Sequence, residues 1–114
     1  MAINGVHALL YSSKPEELRA VLRDVFGWKH VDIHDGWLIF ALPPAELGVH
    51  PADAPAQEFW LMCDDLAATM QELESKGIEV RGTPTQGGFG AFVTIVLPGD
   101  VEVGLYEPRH KTAI

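Results

Sequence analysis

An internal echo constrains this chain more than any other feature. Glu46-Leu47-Gly48-Val49-His50, followed by Pro51, returns as Glu102-Val103-Gly104-Leu105-Tyr106, with Pro108 close behind. Upstream, an apolar run from about His7 leads into a helical pattern ended by Gly27. An equivalent run from about Glu58 leads into a second helical pattern ended by Gly77. Two copies of one small unit place His7 opposite Glu58, and His50 opposite Tyr106. Such units are expected to close around a shared hollow with polar groups at its centre.

Residues 3–12 read as a strand with apolar residues on both faces. Ser13-Lys14-Pro15-Glu16 resembles a capping box, and Leu18, Val21, Leu22 and Val25 follow at the spacing of a buried helical stripe. Gly27 supplies the left-handed residue that ends the helix. Strands are expected at about 28–34 and 37–42 around an Asp35-Gly36 turn, and at 45–50 after Pro43-Pro44. The stretch from Pro51 to Pro55 joins the halves.

The second half repeats the order. A strand over 58–63 precedes a helix that Asp64 is expected to cap, carrying Leu66, Met70 and Leu73. After Gly77 come a short strand at 78–81, a loop containing Gly87, Gly88 and Gly90, and strands at 91–97 and 101–106 joined by Pro98-Gly99-Asp100. The tail from Arg109 carries no pattern and is expected to fray. The expected fold is α+β: one domain over 1–114, built of two βαβββ units at about 1–51 and 57–108. Each unit has a helix for one sheet face only. The other face is also apolar, so it needs the second unit or a ligand to cover it.

Hydrophobic residues make up 47% of the chain and charged residues 21%, the composition of a soluble globular domain. A net charge of −8 with no Lys/Arg cluster argues against nucleic acid as a partner. The amino terminus has no cationic region and no apolar run long enough to span a bilayer, so a cytoplasmic protein is expected. The lone Cys63, in an apolar run without a neighbouring cation, reads as a buried inert thiol.

These residues in this order resemble the vicinal oxygen chelate superfamily: glyoxalases, extradiol dioxygenases, epimerases and bleomycin- or fosfomycin-resistance proteins. The resemblance is carried by His7 and Leu9 before Lys14-Pro15, and by Arg23-Asp24-Val25-Phe26-Gly27-Trp28. It continues through Asp64-Asp65-Leu66, Gly77-Ile78-Glu79-Val80, and Leu97-Pro98-Gly99-Asp100 to Leu105-Tyr106-Glu107-Pro108. It implies a cup-shaped, curved mixed sheet with helices outside. It also implies a divalent metal that polarises a substrate with adjacent oxygens.

Carried over residue by residue, the resemblance puts His7 on the first ligand position and Glu58 on the third. The second falls at Gly48 or His50. The fourth, usually glutamate, is Gly104, which has no side chain to coordinate anything. Strand parity puts Glu102, Gly104 and Tyr106 on one face. His7, His50 and a carboxylate from Glu58 or Glu102 then make a set suited to Fe(II), Mn(II), Zn(II) or Ni(II).

In a catalytic reading, Glu58 or Glu102 carries the proton, Tyr106 donates a hydrogen bond, and the chemistry is that of a lyase, an isomerase or a ring-cleaving dioxygenase. Tyr11, Trp60, Met62 and Phe92 are candidates to line an apolar pocket for a small organic ligand. The competing expectation is a metal-free protein that sequesters a small molecule. The resemblance also implies a homodimer, and apolar strand faces that one short chain cannot cover give it a physical motive.

Overall fold

The structure, a computed structural model, describes residues 2–114. The expected stripe forms helix α1, Pro15–Asp24, which buries Leu18 and packs Val21, Leu22 and Val25 against the core. Pro15 begins it because the first helical residue has no use for its amide hydrogen. The capping box does not form: Lys14 holds the N-cap position without a side-chain bond. Ser12 does that work instead. Its hydroxyl accepts from the Lys14 amide at 3.0 Å and donates to the Pro98 carbonyl at 2.7 Å, which ties the helix entry to a turn 86 residues away.

Strands β1, His30–Asp32, and β2, Leu38–Phe40, pair antiparallel. Asp35 and Gly36 turn the chain with φ of 43° and 89°, the left-handed pair that suits the twist of a hairpin. The Asp32 carboxylate accepts from the amides of His34 and Gly36 and holds the turn.

The second half is a complete βαβββ unit: β3 (Trp60–Met62), helix α2 (Leu66–Ser75), β4 (Glu79–Gly87), β5 (Gly90–Leu97) and β6 (Val101–Pro108). The strands lie in the order β3-β6-β5-β4, with β3 parallel to β6 and the others antiparallel. Asp65 caps α2 rather than Asp64, accepting from the Ala68 amide at 3.0 Å. Glu107 accepts from the Leu66 amide at the same distance. Strand β4 runs well past Arg81, through a bulge between Arg81 and Thr85. As the sheet's outer strand it tolerates Pro84, whose missing donor faces no neighbour.

Alternation along β5 and β6 sorts two faces. Ala91, Val93, Ile95, Leu97, Val103 and Leu105 turn inward with Leu66, Leu73, Ile78 and Leu18. Ile95 and Val103 are almost wholly enclosed. The intervening residues face the other way.

Among the described residues, six strands form where eight are expected. Residues 3–12 and 45–50 have no ladder partner and are mostly exposed, with Leu10, Ser12 and Glu46 partly buried. Ten of the thirteen exposed large hydrophobic residues lie in the first fifty positions, whereas nine of the ten core residues lie after Trp60. The reason is physical: strands apolar on both faces need a neighbour on each side, and the folded unit leaves these two without one. No helix among the described residues is long and apolar enough to cross a membrane.

Candidate functional site

The uncovered face of the second sheet carries an aromatic cluster. Trp60 stands opposite Gly104 and Met62 opposite Tyr106 across the β3–β6 pairing, while Phe92 and Thr94 stand opposite Tyr106 and Gly104 across β5–β6. Strand parity therefore sets Trp60, Met62, Phe92 and Tyr106 on one face. The ring centroid of Trp60 lies 5.7 Å from that of Phe92 and 5.8 Å from that of Tyr106, both edge-to-face. Phe89, from the turn between β4 and β5, stacks on Phe92 at 5.2 Å and meets Trp60 at 6.2 Å.

Two glycines make this arrangement possible. A Cβ built on Gly104 would fall within 3.0 Å of three carbons of the Trp60 indole, so the ring occupies the room a side chain there would take. Gly90, with φ of 148°, lies so close to the Glu107 carbonyl that no side chain fits. It thereby brings the Phe89 turn against β6, where the Arg109 amide donates to the Phe89 carbonyl at 2.8 Å. The Trp60 indole N–H donates to Glu58 at 2.7 Å, which fixes the plane of the ring.

One end of the cluster is polar. The Tyr106 hydroxyl lies 3.2 Å from His110 Nε2, and the two rings stack at 6.0 Å. Glu46 reaches in from the first half: Oε1 lies 3.8 Å from His110 Nε2, and Oε2 accepts from the Ala113 amide at 2.7 Å. The tail, expected to fray, is thus tied to both halves of the chain. Partial burial, and then the Glu46 charge, push the Tyr106 phenol above its ordinary value, so it keeps its proton at neutral pH.

The other expected site residues lie elsewhere. His7 and His50 are exposed on segments without ladder partners, and Tyr11 is 83% exposed, outside the cluster. Glu102 pairs with Arg81, which also binds Glu79 at 3.0 Å. Cys63 is partly buried, and burial raises its thiol. Among the described residues, no three His, Cys, Asp or Glu side chains converge to hold a metal ion. With an indole seated on Gly104 and Glu58 bonded to that indole, the donors among the described residues do not fit a divalent metal. A separate groove of about 330 Å³ between α1 and the β1–β2 hairpin is lined by Glu16, Arg19, Arg23, Asp32 and Asp35, and shares no residue with the aromatic face.

Phe89 and His110 were not among the sequence-derived pocket residues. An aromatic set among glycines in a hairpin turn, and a histidine four positions after Tyr106, are the signals that mark them.

Fold and site together define a small α+β protein with one open, aromatic sheet face. The family model described as "Glyoxalase/Bleomycin resistance protein/Dioxygenase superfamily" matches residues 6–109, and the chain belongs to that family. Among curated protein sequences, none matches it. Similar solved structures include TnmS3, an antibiotic binding protein from Streptomyces sp. CB03234. It is 23% identical with a TM-score of 0.68, over 95% of this chain and 98% of that one. A lactoylglutathione lyase from Agrobacterium tumefaciens is 22% identical with a TM-score of 0.57, over 91% and 96% of the two chains. A virulence protein from Salmonella typhimurium is 16% identical with a TM-score of 0.55, over 95% and 99%. At these identities the likeness speaks to the fold alone.

Proposed function

We propose that this protein binds a planar aromatic small molecule on the Trp60–Phe89–Phe92–Tyr106 face without the help of a metal. The observation that carries the reading is the Trp60 indole seated on Gly104, which puts a stacking surface at the position where the resemblance implies a ligand. Aromatic rings fixed by packing lose little freedom when a flat ligand adds to them. The printed description of TnmS3 as an antibiotic binding protein is in keeping with this reading. Glu58 acts here as a positioning residue for Trp60. Lyase, isomerase and dioxygenase readings need a ligand set that this chain's donors do not supply as they stand.

Calorimetric titration with 2-naphthol tests the proposal. Saturable binding that weakens at least tenfold in Trp60→Ala is expected; no binding, or binding indifferent to Trp60, overturns it.

The working form in this reading is a homodimer in the cytoplasm. Exposed apolar residues such as Ile3, Val6, Leu47 and Val49 support the pairing. Light scattering should give twice the 12.5 kDa chain mass at micromolar concentration, and the chain mass itself would refute it.

A further inference from the structure

The polar end of the aromatic face has a definite hydrogen-bonding sense, which can be worked out atom by atom. His110 Nδ1 lies 2.9 Å from the Lys111 carbonyl oxygen. A carbonyl only accepts, so Nδ1 carries the ring proton. In the neutral ring Nε2 is then an acceptor, and the Tyr106 hydroxyl, 3.2 Å away, donates to it. Its single proton is thereby used, and the phenolic oxygen is left with lone pairs only.

Glu46 points the same way. Its Oε2 is taken by the Ala113 amide, while Oε1 has no hydrogen-bond donor among the described residues, although the side chain is only 17% exposed. A half-buried carboxylate oxygen without a donor is a site that asks for one. Two acceptors, Tyr106 Oη and Glu46 Oε1, therefore flank His110 at the edge of a stack of rings.

We propose that this edge selects aromatic ligands carrying a hydroxyl, whose O–H donates to Tyr106 while the ring stacks against Trp60 and Phe89. The selecting element is the tail from Arg109 onward, which sets His110 in place and with it the direction of the Tyr106 proton. This inference rests on the aromatic-binding reading above and names the class of ligand within it. An arene bearing only acceptors, such as a methyl ether, meets lone pairs with lone pairs and is disfavoured.

Paired titrations of 2-naphthol and 2-methoxynaphthalene, in which a methyl group replaces the donor hydrogen, give the test. The native protein should bind 2-naphthol about five- to tenfold more tightly, as one hydrogen bond predicts. The preference should shrink to about twofold or less in Tyr106→Phe and also in His110→Phe, which keeps the stacked ring but frees the Tyr106 proton. Affinity for the methyl ether should change little in Tyr106→Phe. Equal affinity of the native protein for both compounds overturns the inference and leaves the aromatic-binding reading standing. Failure of both compounds to bind overturns both. A preference that survives intact in the two variants also overturns the inference, because the selecting group would then lie elsewhere.

Discussion

The Trp60 indole lies directly over the Cα of Gly104, its partner across the β3–β6 ladder, so closely that a methyl group there would overlap the ring. The absence of a side chain at Gly104 is therefore what lets a large aromatic ring lie flat on the sheet. The two residues make one feature. Gly104→Ala should destabilise the fold by about 1–3 kcal/mol through overpacking, whereas the same change in a Trp60→Ala background should cost well under half of that. Denaturant titration of the four proteins in this cycle measures the coupling.

Glu58 separates the positioning role from a chemical one. Glu58→Gln keeps an acceptor for the indole N–H now bonded at 2.7 Å, so affinity for a planar arene should stay within about twofold of the native value. Glu58→Ala should weaken it by roughly three- to tenfold, which calorimetry can resolve.

Cys63 should be a poor nucleophile. Burial is the main cause that raises its thiol, with the nearby carboxylates of Glu107, Asp64 and Asp65 acting in the same direction. Alkylation by iodoacetamide at pH 7.5 should run several-fold slower than in the unfolded chain, and should accelerate when denaturant is added.

Tyr106 predicts an alkaline limb of stability. Its folded pKa is raised above the ordinary 10.0, so the folded protein holds this proton at pH values where the unfolded chain has released it. The associated stabilisation is complete below about pH 10 and is lost as pH rises through the folded value. In Tyr106→Phe, the denaturation midpoint should fall less steeply above pH 10 than in the native protein.

At the start of α2 the cap can be assigned by substitution. Asp65→Ala should cost about 1 kcal/mol, and Asp64→Ala close to nothing. Thermal denaturation of the two variants tells them apart.

The second half was legible residue by residue because each of its signals is local. Strand parity in 91–97 and 101–106, the stripe of Leu66, Met70 and Leu73, and the Pro98-Gly99-Asp100 turn all act within a few positions of themselves. The extent of β4 was not legible, since Gly82, Thr83 and Pro84 have loop character and stay unpaired in the bulge, while the ladder resumes at Thr85. Nor was the role of Ser12, whose hydroxyl finds its acceptor 86 residues away.

The site was half legible. Trp60, Met62, Phe92 and Tyr106 share a face by strand parity and Tyr11 lies apart from them, whereas Phe89 depends on a turn geometry and His110 on where the tail docks. The bare position at Gly104 could be read as a missing ligand; that an indole fills it could not, because a sequence carries no side-chain direction. His7 and His50 were matched through the repeat, and their segments found no ladder partner within the chain.

Titration of 2-naphthol into protein treated with excess EDTA, and into the same protein supplied with Zn(II), Mn(II) or Fe(II), tests the central claim most directly. The account predicts the same dissociation constant in every case, unchanged by His7→Ala. Binding that appears only after metal is added, and disappears with His7→Ala, would contradict it.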